Sequence, residues 1–400
     1  MSTGNGRQSF PLVALDELCE KRISTRDPRI KADEAFMYID ISSVDNSQKE
    51  IVTPKRLLGR EASSRARQVV CENDVLVATT RPNLNAVAIV PGELHDQIAS
   101  TGFCVLRTDG RLEPDYLFGF VQSTGFVSAL SDLVKGALYP AVTDSQVRTQ
   151  KIPLPPLEEQ RRIAARLREQ LAIVAEACAA LKAQLQAADA LPAANLRAVF
   201  ESEEAKRWPL RRLGELLDIR QDIVHPRNKP RGAARFVGLE HIEPHTGRRI
   251  GELPVQMEQL TGRKARFFSG DIVYGYLRPY LNKLWIADFD GLCSVDQYVF
   301  EPRRDLIDRE FVAWFMRSST YLARAPVGEI PGWLPRIRTD EVAAVEINLP
   351  PLDRQREVAR RISEEMCSAR ALRETIAQKL GELEKLPAAL LRSAFDQNGG

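Results

Sequence analysis

Six cysteines are scattered through this 400-residue chain, at 19, 71, 104, 178, 293 and 367, and no two form a C-x-x-C pair. That excludes a disulfide framework and points to a reducing, cytoplasmic setting. Histidine is scarcer still, with four residues. His241 and His245 stand four apart, but Pro244 lies between them after a strand-like lead-in. A turn is expected there rather than a helical metal pair, so no metal site is expected. No uninterrupted run approaches the length of a membrane span; Leu171-Ala-Ile-Val-Ala175 stops at Glu176. The first seven residues, Met-Ser-Thr-Gly-Asn-Gly-Arg, have no apolar core and do not read as a signal peptide. Excess charge of one sign is also missing: 56 basic against 54 acidic residues leave +2. This excludes a polycation while leaving room for local basic faces. With 44% hydrophobic and 28% charged residues, a mainly disordered chain is excluded as well.

Catalytic signatures are missing too. There is no G-x-x-x-x-G-K-[ST] loop, no strand–G-x-G-x-x-G–helix, no G-x-S-x-G and no H-E-x-x-H. Leu-Pro-Pro-Leu occurs at 154–157 and 349–352. An amino-methyltransferase would need a polar residue before Pro-Pro and an aromatic after it, to clamp a flipped base. Leucine stands at both places, so no catalytic residue is expected.

What the chain does have is a repeat. Residues 153–200 and 348–395, slid by 195 positions without a gap, share 17 identities in 48. Both stretches open on a Leu-Pro-Pro-Leu motif and close on LPAANLRAVF and LPAALLRSAF. Upstream, Phe10-Pro-Leu parallels Trp208-Pro-Leu, and Arg81-Pro-Asn-Leu-Asn85 parallels Arg278-Pro-Tyr-Leu-Asn282. A period this long means duplicated domains rather than a solenoid. The expected fold class is α+β, with two tandem α/β globular parts, each followed by a long helix. The expected segments are 1–152 globular, 153–205 helical, 206–347 globular and 348–400 helical.

The helical parts are the clearest. Proline stiffens the entry, and Glu158-Glu159 or Asp353 place negative charge in the first turn. Leu167, Leu171, Val174, Cys178, Leu181 and Leu185 then follow at steps of four and three, a heptad seam. The second copy reads Ile362, Met366, Ala369, Arg373, Ile376, Leu380; Arg373 breaks the seam, and Leu372 beside it is expected to rotate in. Pro192 and Pro387 are expected to break or kink each helix near its end. Two packings fit the stripe: a helix lying on its own domain's core, or an antiparallel pair. Two similar helices with highly charged outer faces favour the pair, a spacer of roughly 50 Å.

In the globular parts, Phe36–Ile41, Asp74–Ala78, Ala86–Val90, Ala234–Leu239, Asp271–Gly275 and Gln297–Phe300 read as strands. Tyr116–Gln122 and Arg309–Met316 read as helices burying aromatics. Basic residues gather in Gly/Pro/Asn-rich stretches: Lys21, Arg22, Arg26, Arg29 and Lys31, then Lys55, Arg56, Arg60, Arg65 and Arg67. In the second copy they are Arg220, Arg227, Lys229, Arg231 and Arg235, then Arg248, Arg249, Arg263, Lys264 and Arg266. Such side chains neutralise phosphates, and Arg reads guanine edges. The plain alternative is a solvated face. Arg81 and Arg278 either touch a phosphate or cap the strand before them.

LPPLEEQRRIA at 154–164 and LPPLDRQREVA at 349–359, each closing a globular half, together with the two helix ends and the restart WPLRRLGEL at 208–216, resemble the specificity subunit of type I restriction–modification enzymes. The resemblance covers nearly the whole chain. It implies two target recognition domains, each reading one half of a split, asymmetric double-stranded DNA site. It implies helices that pair as an antiparallel coiled coil, set half-site spacing and dock two modification subunits, which methylate adenine with S-adenosylmethionine. A motor-nuclease subunit using ATP and Mg joins that core, and the specificity chain itself binds no cofactor. Leu157, Gln160, Arg161, Leu352, Gln355 and Arg356 are expected to fix the domain–helix junction, with exposed neighbours facing the modification subunits; Gln160 and Gln355 could equally act as helix caps. The competing readings are a nuclease or methylase fused to such domains, an adaptor of another phage-defence or methylation system, and a DNA-independent coiled-coil scaffold.

Overall fold

A computed structural model describes residues 10–136, 138–325 and 335–395. The chain divides into two compact units, Met1–Lys182 with Gln378–Gly400, and Ala183–Ala377. Each therefore joins a globular part to pieces of both long helices.

In the first unit, the strand Leu12–Ala14 pairs antiparallel with Lys151–Pro153, so the globular part closes where it began. Its central strand, Val75–Ala78, runs between Phe103–Leu106 and Val87–Ile89. All four residues of Val75–Ala78 are buried, which is why this stretch reads as a continuous apolar run without alternation. A second sheet has the order Lys55–Leu58, Ala35–Ile39, Gln97–Ser100, Ala66–Val70, and its inner pair is parallel. The helix Pro114–Val121 packs Tyr116, Leu117 and Phe120 into the core with Leu15, Val75 and Leu106.

The second unit repeats the plan. Leu210–Arg212 pairs with Glu346–Asn348. Ile272–Gly275 lies between Gln297–Pro302 and Leu284–Ile286. A five-stranded sheet again contains one parallel pair, Phe236 opposite Leu292. Arg309–Met316 buries Phe311, Val312 and Phe315.

The first long helix is Leu157–Phe200, and the second is Leu352–Leu383, followed by the separate helix Leu386–Phe395. Both begin at the residue after Leu-Pro-Pro, because proline cannot extend a helix backwards but leaves its successor free to start one. Their seam residues are buried or half-buried: Leu167, Val174, Ile362, Ile376 and Leu380 are buried, while Leu171, Leu181, Leu185 and Met366 are half-buried. Within the first unit, Lys182 pairs with Glu384 at 3.4 Å. Within the second, Asp189 pairs with Arg373 at 2.5 Å and Glu204 with Arg354 at 2.7 Å.

Three expectations need correction. Pro192 does not break its helix, which runs unbroken to Phe200. Packing holds it on both sides, through buried Ala188 and Leu196, and this outweighs one lost backbone hydrogen bond. At Pro387, by contrast, the expected break occurs: the second long helix ends at Leu383 and a new one starts at Leu386, with Pro387 as its second residue, where no N–H is needed. Leu372 does not rotate in: it is 48% exposed, and Arg373 meets Asp189 instead. Finally, one helix is long and apolar enough to cross a membrane by length and composition, with a window of mean hydropathy 1.3 inside Leu157–Arg207. Alanine raises that average without making an uninterrupted apolar run, and alanine equally serves as the strongest helix former.

Candidate nucleic-acid interface

The two R-P-x-L-N motifs fold into the same turn. Arg81 and Arg278 both adopt the left-handed conformation, with φ of 49° and 51°. A one-turn helix follows in each, Pro82–Leu84 and Pro279–Leu281, and the closing Asn85 and Asn282 are left-handed again. The Asn side chain anchors the turn: Asn85 Nδ2 donates to Val121 O and Asn282 Nδ2 to Met316 O, both at 3.2 Å. Those carbonyls end the aromatic helices, at equivalent positions. Left-handed backbone costs an arginine about 1–2 kcal/mol, so the surrounding structure must hold it. The backbone N–H groups of Arg81 and Arg278 donate to Pro140 O and Pro335 O, at 2.8 and 2.7 Å. Both side chains are exposed and meet no carboxylate among the described residues. Beside the first turn, Leu138 and Tyr139 are 88% and 85% exposed. In the second, Tyr280 is half-exposed within the turn itself.

The other basic candidates fall into two groups. In the first unit Arg26 pairs with Asp96, Arg29 and Arg67 with Asp27, Lys31 with Glu34, Lys55 with Asp40 and Arg60 with Asp33. In the second, Arg248 pairs with Glu243, Arg249 with Glu252, Arg266 with Asp222, and Lys264 lies over the Phe236 ring. Arg220 and Arg235 are tied to Asp271 and Glu252. Most of these pairs are exposed and individually weak, so they orient the cations more than they remove them. Arg56, Arg65, Arg227, Lys229, Arg231 and Arg263 are exposed and carry no ion pair among the described residues. His241 accepts the Gly238 N–H through Nδ1, and His245 is left-handed in the following turn. Among the described residues no three His, Cys, Asp or Glu side chains gather as a metal-binding group.

At the helix entries a buried glutamine does the joining. Gln160 Oε1 accepts the Glu113 N–H at 2.8 Å, while Nε2 donates to Arg111 O and Pro155 O. Gln355 repeats all three bonds with Asp308, Leu306 and Pro350. Each is 1% exposed, so it acts as a clamp between helix and globular part and is closed to any partner. Leu157 and Leu352 are half-buried beside it. Arg161 bridges Glu113 and Glu158, and Arg356 pairs with Asp353.

Residues 10–186 match the family model of the type I restriction modification DNA specificity domain. The type I restriction enzyme EcoDI specificity subunit of Escherichia coli is 30% identical over 188 residues, which is 47% of this chain and 41% of that protein's length. The HsdS subunit from Thermoanaerobacter tengcongensis is 30% identical, superposes with a TM-score of 0.70, and covers 99% of both chains. The chain belongs to the type I restriction–modification specificity subunits. A chain solved in work on complex assembly and conformational transition of the type I R-M system is also 30% identical, with a TM-score of 0.79 over 96% of this chain and 97% of that one.

As in other specificity subunits, the family role is non-catalytic. Two features of this specificity subunit went unread in its sequence. The repeated helix ends are plugs: Phe395 packs on Tyr116 and Phe120 at 5.1 and 5.7 Å, and Phe200 on Phe311 and Phe315 at 5.6 and 5.5 Å. Gly119 makes room for one of them, since a Cβ there would lie 3.2 Å from the Phe395 ring. The likeness of LPAANLRAVF to LPAALLRSAF, seven of ten residues including the closing phenylalanine, was the available signal. The anchoring asparagines were visible inside R-P-x-L-N, but their partners are distant in sequence.

Proposed function

We propose that this chain is the sequence-reading subunit of a type I restriction–modification complex, with each globular part reading one half of a bipartite, asymmetric DNA site. The observation that carries this reading is the matched pair of turns, one per unit, each holding an unpaired arginine in a left-handed conformation. Strain maintained at equivalent sites on two divergent scaffolds fits a shared task, and Arg is the side chain best suited to base edges and phosphates. The long helices pair antiparallel and set half-site spacing. Two ion pairs support that geometry, since Lys182 meets Glu384 while the later Asp189 meets the earlier Arg373. The helices dock two methyltransferase subunits, and motor-nuclease subunits join that core. Adenine methylation with S-adenosylmethionine and DNA cleavage with ATP and Mg belong to those partners, in the cytoplasm.

The test is footprinting of the chain co-purified with its modification subunit. Two separated protected stretches, and an affinity that falls steeply with salt, are expected. A single continuous footprint, or none, would contradict the reading. Affinity for DNA that is indifferent to neutralising the basic loops would favour a scaffold instead.

A further inference from the structure

The second unit carries a basic pocket. It has a volume of about 230 Å³ and is lined by Gly270, Pro302, Arg304, Ile307, Asp308, Arg309, Leu352 and Arg356. It sits at the opposite end of the central strand Ile272–Gly275 from the Arg278 turn, beside the entry to the second long helix. Two guanidinium groups converge over Gly270. A Cβ built there would lie 3.1 Å from Arg309 Nη1 and 3.3 Å from Arg304 Nη2. Gly270 itself has φ of +96°, so the position suits glycine on both counts.

Neither Arg304 nor Arg309 has an ion-pair or hydrogen-bond partner among the described residues, although ion pairs engage most of the arginines around them. Of the carboxylates nearby, Asp308 is occupied in capping its helix, accepting the Phe311 N–H at 3.0 Å. Asp353 is held by Arg356 at 3.3 Å. Asp308 shares the lining, but it forms no ion pair with either arginine, and two like charges facing one small space repel unless an anion joins them. The first turn of the 32-residue helix beginning at Leu352 adds its own partial positive charge at the wall.

The Gln160 and Gln355 clamps align the two junctions residue by residue. On that alignment Arg304 corresponds to Asp109 and Arg309 to Pro114. In the first copy, Asp109 is paired with Arg111. The fold therefore works without either arginine, and their presence in the second copy has no counterpart in packing.

We propose that this pocket is a phosphate-binding site, in which Arg304 and Arg309 grip one phosphate group between them and Arg356 closes the third side. Fork-shaped guanidinium groups suit the oxygens of a phosphate better than ammonium groups do. The phosphate comes either from a DNA backbone or from a free phosphate compound. The site does not rest on the DNA-reading assignment.

The test is calorimetric titration of the full chain with inorganic pyrophosphate at fixed ionic strength, against sodium chloride as the control. Saturable binding with one site is expected. In the Arg304→Gln/Arg309→Gln variant it should weaken by about tenfold or more, and Arg304→Lys/Arg309→Lys should retain part of it. Both arginines are exposed and unpaired, so the variants should fold as the parent does, which a thermal melt checks. No saturable binding, or equal binding by the glutamine variant, overturns the proposal. DNA affinity against salt then separates the sources. A slope reduced by about one in the glutamine variant assigns the phosphate to DNA, and an unchanged slope assigns it to a free compound. If pyrophosphate binds but DNA does not, the DNA reading falls and the site stands.

Discussion

Single residues divide the chain's work between holding and reading. Gln160 and Gln355 hold. Replacing either with leucine strands one buried N–H and two buried carbonyls, and should cost about 2–4 kcal/mol in urea unfolding. Arg81 and Arg278 are the proposed readers. Arg81→Gln and Arg278→Gln should each weaken specific DNA binding by about 1–3 kcal/mol, measured on the complex by competition, with no change in melting temperature. Equal loss of stability and binding would make them strand caps instead. The thiols give a third check. Burial pushes Cys19, Cys104 and Cys293 up to about 12, so they stay neutral at pH 8 and present no thiolate. A disulfide-exchange reagent should modify exposed Cys367 in the native protein and leave those three untouched until denaturant is added. At this scale the sequence was only partly informative. It located the loop clusters around Arg29, Arg60, Arg231 and Arg263 but passed over Arg304 and Arg309, and whether Arg29 meets Asp27 depends on loop geometry that no spacing encodes.

Secondary-structure elements were more legible. Arg309–Met316 forms over the expected residues, and both long helices start directly after their Leu-Pro-Pro, because local chemistry decides these features. Helix ends were less legible because their purpose is non-local. Phe395, near the end of the chain, completes a core begun by Leu15, and Phe200 completes the core around Leu213. Phe395→Ala should cost about 3–5 kcal/mol. Hydrogen exchange should speed up in Pro114–Val121 and remain unchanged in Arg309–Met316. Phe200→Ala should do the reverse. Uniform acceleration in both helices would show that the two plugs do not act locally. Pro192 teaches the same lesson from the other direction, since packing at Ala188 and Leu196 overrides a residue whose local preference is to stop a helix.

Over the whole molecule, duplication explains both the symmetry and its exceptions. The sheets, the glutamine clamps, the asparagine-anchored turns and the phenylalanine plugs recur in both units. The surface loops and the Arg304–Arg309 pair, which falls on Asp109 and Pro114 in the first unit, do not. A shared scaffold with divergent surfaces is what a reader of two unlike half-sites requires. The most direct measurement is methylation-sensitive long-read sequencing of host DNA, with the chain co-expressed beside its modification subunit. The parent should yield one split motif carrying methyladenine on each half. A chain whose residues 1–150 are replaced by those of a relative should change one half of that motif and keep the other. Changes in both halves, or a stable complex that leaves no split motif, would contradict the account.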